Sequence, residues 1–349
     1  MTGGGWSLWL DKEASWQNDR LYLPHEITDL SLLPVNVPTG GWQTLSHNPD
    51  AVPVEVPGTV EEYLTVTDNP RPENFRGVSW WYRKITIPAD QQKKRFIINF
   101  ESVRMRAEVY LDGKLVAYDL IGETPFHVDI TDEAKPGKEQ LLAIRVTNPG
   151  GNFHWQDFDI MKWGEYNIPP SRSFTGIIGR VKLESVNPVF ISDIYMQNTP
   201  ELTKVNAILS FTNETSSSVK QDVELIVNEK GNPDKVVFRQ TLKAISFPAG
   251  NHEVTIPVNV PDAKLWDLST PELYTCNVLI KKGKKMLDQD KKDFGFRWFT
   301  VDGVGKDAVL RLNGRRIMLR SAISWGYFPV TGLIATTEMA EKQVCTAKS

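Results

Sequence analysis

Ala107-Glu108-Val109-Tyr110-Leu111, then Asp112-Gly113, then Lys114-Leu115-Val116-Ala117-Tyr118: two alternating runs face each other across an Asp-Gly pair. Alternation of apolar and polar side chains has the period of a strand, not of a helix. A two-residue connection with positive φ at both positions selects Asp-Gly, the signature of a type I′ turn. The stretch predicts a β-hairpin, and its surroundings continue the pattern. Upstream, Trp80-Trp81-Tyr82-Arg83-Lys84-Ile85-Thr86-Ile87-Pro88 reads as a strand closed by proline, and Arg95-Phe96-Ile97-Ile98-Asn99-Phe100 as another. Downstream, Gln140 to Val146 follows a Pro136-Gly137 turn, and Gly179 to Val186 alternates again. Short strands separated by turn residues predict a β-sandwich.

Asn187-Pro188 is the expected boundary of this first part. Beyond it, tryptophans thin out, lysines increase and the alternation becomes cleaner. Val205–Phe211, Asp222–Val227, His252–Val258 and Leu273–Ile280 are four expected strands. They lie in a segment the size of an immunoglobulin-like sandwich, about 100 residues. After residue 298 the character changes again. Ala308–Leu312, Asn313-Gly314 and Arg315–Arg320 predict a tight hairpin. Thr336 is a good N-cap with Glu338 in the first turn, and Ala340, Val344 and Ala347 form an apolar helical stripe. The chain stops at Ser349 without a C-cap, so we expect the pattern to continue in a longer protein.

Composition excludes several classes of function. The 349 residues carry 40 Lys and Arg against 43 Asp and Glu, a net charge of −3, which gives no basis for nucleic-acid binding. Two cysteines, Cys276 and Cys345, exclude a disulfide framework. The histidines (His25, His47, His127, His154 and His252) show no pair at metal-ligand spacing. Walker A, dinucleotide-fold glycine and nucleophile-elbow motifs are absent, so no cofactor and no metal is expected. No apolar run is long enough to cross a membrane as a helix. The start has no leader pattern: the expected compartment is periplasmic or extracellular if a leader has been removed, and cytoplasmic otherwise.

Four groups of residues carry a resemblance to glycoside hydrolase family 2, the family of β-galactosidases, β-glucuronidases and β-mannosidases. Gly77-Val78-Ser79-Trp80-Trp81-Tyr82-Arg83-Lys84 resembles its G-x-x-W-Y-R strand. Thr124-Pro125-Phe126-His127-Val128-Asp129-Ile130-Thr131, with Leu142 to Asn148, resembles its P-F-x-x-D-I-T and L-x-V-x-V-x-N pair. Phe174 to Val181 resembles S-G-I-x-R-D-V. Leu265-Trp266, Pro271–Tyr274, Phe294–Arg297 and Leu312-Asn313-Gly314 through Arg320 resemble the end of its second domain and the lead into its barrel. The resemblance implies an all-β chain: a jelly-roll sugar-binding domain over 1–187, an immunoglobulin-like β-sandwich over 188–298, and over 299–349 the truncated start of a (β/α)8 barrel. A complete barrel needs about 250 residues.

The resemblance also implies a retaining exo-β-glycosidase acting on a β-linked glycan or glycoside. Such hydrolysis needs a nucleophile and an acid/base carboxylate about 5–5.5 Å apart. In the family both are glutamates late in the barrel, so no catalytic residue is assigned here and the chain is expected to be inactive alone. The Asn213-Glu214 and Asn228-Glu229 pairs read as solvated loop residues, and Asn213-Glu214-Thr215 as a chance glycosylation sequon. The segment Asn152 to Ser173 mixes aromatic rings with carboxylates, and rings stack on pyranose faces while carboxylates accept from hydroxyls. Within it, Trp155, Asp157, Asp159 and Trp163 are the expected sugar contacts. The family's G-V-N-x-H after the first barrel strand is replaced by Ser321 to Pro329, where Trp325 and Tyr327 take its place. Arg76, ahead of the G-x-x-W-Y-R strand, completes the set. Packing of the tryptophans and solvation of the aspartates is the alternative reading of the same residues. A stand-alone carbohydrate-binding module and a purely structural β-sandwich protein are the alternative functions, and self-association into a homo-oligomer is left open.

Overall fold

The computed structural model describes residues 1–16, 22, 26–27, 29–64, 75, 77–122, 124–148, 162–163, 166–167, 175–321 and 337–349. The chain is almost entirely β and divides into two compact units, Met1–Ser185 with Ile323–Ser349, and Val186–Ala322.

The first unit contains β1 (Gly3–Asp11), β2 (Val52–Val56), β3 (Gly58–Thr59), β4 (Gly77–Thr86), β5 (Arg95–Phe100), β6 (Arg106–Leu111), β7 (Lys114–Asp119), β8 (Phe126–Asp129), β9 (Glu139–Asn148), β10 (Lys162–Trp163), β11 (Tyr166–Asn167), β12 (Gly176–Ile177) and β13 (Val181–Val186). Six of them form one sheet in the order β2-β1-β4-β9-β6-β7, and β13-β5-β8 form another. The core lies between these sheets, where Trp6, Leu8, Trp81, Phe96, Ile98, Phe100, Val109, Ile144 and Val181 are all buried. The predicted hairpin is β6–β7. Asp112 and Gly113 sit at φ 48° and 82°, the left-handed pair that a type I′ turn demands, and Leu111 faces Lys114.

β4 departs from simple alternation because both faces of its sheet are covered. Trp81 enters the core between the sheets. Trp80 points the other way, into a second apolar cluster with Leu45, Tyr82, Tyr110 and Leu115, which Trp16, Leu33 and Trp42 flank. Both indoles are fully buried. Each N–H finds an acceptor, Trp80 at Asp11 Oδ2 (3.2 Å) and Trp81 at Ser79 Oγ (3.2 Å). Two four-residue helices, α1 (Thr44–His47) and α2 (Val60–Tyr63), interrupt the connections of this unit.

The second unit contains β14 (Val189–Asn198), β15 (Lys204–Asn213), β16 (Val219–Glu229), β17 (Val236–Phe247), β18 (Gly250–Asn259), β19 (Tyr274–Lys282), β20 (Lys285–Phe294), β21 (Phe299–Asp302), β22 (Val309–Leu312) and β23 (Arg315–Arg316). Sheets β14-β15-β18 and β17-β16-β19-β20 enclose one core of Val205, Leu209, Phe211, Val223, Leu225, Val227, Phe247, Cys276, Val278 and Ile280. This is the antiparallel two-sheet sandwich expected from the alternation. Sheet β21-β22-β23 follows it, with the predicted Asn313-Gly314 connection between β22 and β23. The second arm of that hairpin is shorter than expected, ending at Arg316.

α3 (Thr337–Lys348) is the expected final helix, but its stripe is not a buried face: no residue of α3 is buried, and Val344 is 54% exposed. Thr336, the expected cap, lies outside the described residues. No helix among the described residues is long and apolar enough to cross a membrane.

Candidate functional site

The span 149–174, which contains the Asn152 to Ser173 segment expected to touch sugar, leaves and re-enters the first unit at two points that the structure fixes closely. It leaves after Asn148, the last residue of β9, whose Nδ2 donates to Phe75 O (2.9 Å). It re-enters at Thr175, whose O accepts from Val60 N (2.7 Å), directly before β12 pairs with β3. Gly176 exchanges two backbone hydrogen bonds with Arg104 (2.8 and 2.9 Å). A Cβ on Gly176 would lie 2.2 Å from Gly58 O and 2.9 Å from Thr59 Cα, so only glycine fits this crossing of three strands.

Glu61 in α2 ties the second of these points to Phe75, the residue whose carbonyl holds Asn148. Its Oε1 accepts from Phe75 N (3.2 Å) and its Oε2 from Thr175 N (3.1 Å). The carboxyl is buried, and burial pushes it up to about 7, against the pull of the Thr175 and Phe75 amides and the Arg104 guanidinium toward the ionised form. Among the described residues its partners are amides and a cation, not a second carboxylate. Chemically the arrangement is therefore an anchor for two stretches of chain rather than an acid/base pair. Leu64, just beyond α2, also lines a cleft of about 460 Å³ with Trp9, Asp11, Thr39 and Asp50.

A second buried polar centre lies on the six-stranded sheet. Glu108 accepts from Asn36 Nδ2 (2.7 Å) and Arg145 Nη1 (2.9 Å) and lies 3.3 Å from Arg106 Nη2. All three charged side chains are nearly inaccessible to water. Tyr110, whose hydroxyl accepts from Asn36 N (3.0 Å), has its acidity suppressed by burial and by the neighbouring Glu108. No group of three His, Cys, Asp or Glu among the described residues is close enough to hold a metal ion.

Of the residues expected to touch sugar, Trp155, Asp157, Asp159, Trp325, Tyr327 and Arg76 lie outside the described residues. Trp163 is described by its backbone alone, in β10, where it pairs with Tyr166. The Asn-Glu pairs differ from expectation at their asparagines, while Glu214 is exposed outside the strands as expected. Asn213 and Asn228 are buried ends of strands, not solvated loop residues. Asn213 Nδ2 donates to Ser217 O and Phe247 O (both 2.9 Å), so the folded chain offers no free amide at its sequon. Asn228 Oδ1 accepts from Asn277 (3.0 Å), and Glu229 is paired with Lys235 and Lys264.

Glu61 was missed because Glu61-Glu62 reads as an ordinary solvated pair. Thr59, three residues ahead of Glu62 at a capping-box spacing, marks the start of α2, where its Oγ1 accepts from Glu62 N (3.2 Å), but gives no signal for the role of Glu61.

The motif residues that carry the family resemblance hold the fold. Arg83 lies 5.4 Å from the Trp6 ring and donates to Met1 O (3.1 Å). Phe126 stacks on Phe100 at 4.9 Å, and Asp129 accepts from Thr131 N (2.9 Å) and pairs with Arg95. In the second unit Asn313 ties three stretches of chain together. Its side chain accepts from Trp298 N (2.9 Å) and donates to Trp266 O (3.0 Å), and Arg297 covers the Trp266 ring at 4.6 Å.

Comparison with known proteins places this framework. The family model "Glycosyl hydrolases family 2, sugar binding domain" matches residues 4–168, and "Glycosyl hydrolases family 2" matches 189–297. A β-glucuronidase of Formosa agariphila is 26% identical over 267 residues, covering 73% of this chain and 26% of its own length. A β-galactosidase of Thermoanaerobacter pseudethanolicus is 27% identical over 261 residues, covering 74% and 33%. The crystal structure of Bacteroides uniformis β-glucuronidase shares the fold with a TM-score of 0.66 at 22% identity, over 84% of this chain and 34% of that one. The chain thus spans about a quarter to a third of the length of the curated relatives cited. Two successive models of one family account for most of the sequence, and the chain belongs to glycosyl hydrolases family 2.

Proposed function

We propose that the chain is the non-catalytic front portion of a retaining exo-β-glycosidase. In this reading 1–187 is the jelly-roll sugar-binding domain, 188–298 the immunoglobulin-like domain, and 299–349 the start of a (β/α)8 barrel. The catalytic glutamates belong to the remainder of that barrel, and the 349 residues alone do not hydrolyse glycosides. The observation that carries the reading is the succession of the two family-2 matches over 4–168 and 189–297. The engagement of Asn213, Asn228 and Glu229 in structural contacts supports it, since it leaves neither Asn-Glu pair in a catalytic role.

In the longer enzyme, segment 153–166 forms one wall of the sugar pocket. Trp155 and Trp163 lie against the apolar faces of the pyranose, and Asp157 and Asp159 accept its hydroxyls. Trp325 and Tyr327 add rings from the barrel side, and Arg76 adds a cation. The substrate is a β-linked glycan or glycoside.

The test is turnover of p-nitrophenyl β-glucuronide, β-galactoside and β-mannoside by the purified 349-residue chain. No hydrolysis is expected, because loss of the catalytic groups removes orders of magnitude of rate. Turnover that co-purifies with the chain and survives a contamination control would overturn the reading.

A further inference from the structure

Trp9 and Asp11 alternate onto one face of β1, the face on which Trp80 of the neighbouring β4 is covered. At the end of β1 a cleft of about 460 Å³ opens, walled by these two side chains, by Thr39 and Asp50 from the connection between β1 and β2, and by Leu64. We propose that this cleft binds a neutral saccharide, with the Trp9 ring against a pyranose face and Asp11 accepting a sugar hydroxyl at Oδ1. The inference deepens the sugar-binding reading of the first unit given above and rests on it.

Asp11 is only 2% exposed. The fold occupies its Oδ2 twice, with Trp80 Nε1 (3.2 Å) and Thr39 N (2.9 Å). Its Oδ1 is buried and accepts from no group among the described residues. A buried carboxylate oxygen without a donor is costly, and folded proteins keep few of them. A hydroxyl in the cleft supplies the missing donor. Trp9 packs on the cluster around Trp80 and still lines the cleft, so a ring is held in place at its wall. Such rings stack on the apolar faces of pyranoses. The volume falls in the range of small-molecule sites, about 300–1,000 Å³. Charge selects among sugars: Asp11, Glu13 and Asp50 line the cleft against one cation, Lys12. That excess of carboxylates repels a uronate, whereas a neutral sugar brings donors without charge. The same carboxylates do not converge closely enough to hold a metal ion.

The experiment is saturation-transfer-difference NMR of the full chain at neutral pH, with cellobiose, lactose and glucuronic acid as separate probes. Cellobiose and lactose are expected to take up saturation, most strongly on the axial protons of one ring face, and glucuronic acid far less. Asp11→Asn keeps one oxygen for Trp80 and Thr39 but turns a donor toward the sugar. It and Trp9→Ala are each expected to weaken binding of the neutral sugars about tenfold or more. Should either variant fail to fold, Asp50→Lys tests the charge from an exposed position, and it is expected to bring glucuronic acid up to the level of the neutral sugars. No transfer to either neutral sugar from the parent chain overturns the proposal. So does transfer that the folded Trp9→Ala and Asp11→Asn chains leave unchanged, or equal transfer to glucuronic acid in the parent chain. Binding is read without turnover, so its absence counts against this cleft alone, and hydrolysis of aryl glycosides by the chain counts against the non-catalytic reading alone.

Discussion

In the first unit Asp11, Glu61, Arg104, Arg106, Glu108 and Arg145 are buried, whereas among the described residues of the second unit the only buried charge is Glu224. Even Glu224 differs in kind, because its partners Arg239 and Lys281 reach water, with side chains 56% and 32% exposed. The second unit is held by apolar alternation across two sheets, and its edge charges are replaceable. The first unit uses buried ionisable groups to hold long connections against its sheet. Glu108 accepts from Asn36 and Arg145 donates to Ser15 O, both in the segment that covers the back face, and Glu61 accepts from the amides of Phe75 and Thr175. Taking a charge out of water is costly unless it is paired and hydrogen-bonded. Interior charges kept at that cost mark where the chain must be placed rather than merely packed.

The contrast can be broken at its strongest point. Glu108→Ala leaves Arg106 and Arg145 buried without their carboxylate and should cost about 3–5 kcal/mol, the scale for stripping one partner from a buried pair. Urea unfolding followed by the fluorescence of Trp80 and Trp81 would measure it. A loss under 1 kcal/mol would mean that these charges are incidental to the unit.

The next effect depends on pH. Burial raises Glu61 from its ordinary 4.5 to about 7, so the fold favours the protonated form. Its contribution is fully present below about pH 4.5 and is lost as pH rises through about 7, by about 3 kcal/mol in all. Glu61→Gln, which cannot ionise, should therefore lose less stability than the parent chain between pH 4.5 and 8, by about that amount. Parallel stability curves for the two chains would rule this out.

The smallest effect sharpens the comparison from the other side. Glu224→Ala in the second unit should cost about 1 kcal/mol or less, because neither cation it releases is sealed from solvent. A cost near that of Glu108→Ala would erase the distinction between the units.

The regular strands were legible in the sequence because one or both faces are dry. β5 coincides with the alternating run Arg95–Phe100, and β15, β16, β18 and β19 fall on the four runs read in the second unit. β20 was not legible: Lys285-Met286-Leu287-Asp288-Gln289-Asp290-Lys291-Lys292-Asp293-Phe294 lies at a sheet edge, where burial imposes little pattern. β1 hides behind Gly3-Gly4-Gly5. The cover formed by Leu33, Trp42 and Leu45 has no period, because its residues are placed by connections rather than by regular structure. The family motifs were the most legible feature, and their residues hold strands and turns together. Glu61 was invisible because its role depends on Phe75 and Thr175 arriving beside it, which no local pattern encodes.

Gly176 carries a consequence for how the family can vary. Its contact with Gly58 and Thr59 fixes one post of 149–174, and Asn148 on Phe75 fixes the other, with every anchoring atom outside the segment. Between fixed posts the cost of a longer span is mainly closure entropy, about 0.6 kcal/mol for each doubling of length. Insertions and exchanges there should therefore leave the β12–β3 crossing and the sheets of the first unit intact, because the atoms that hold the ends of the span lie outside it.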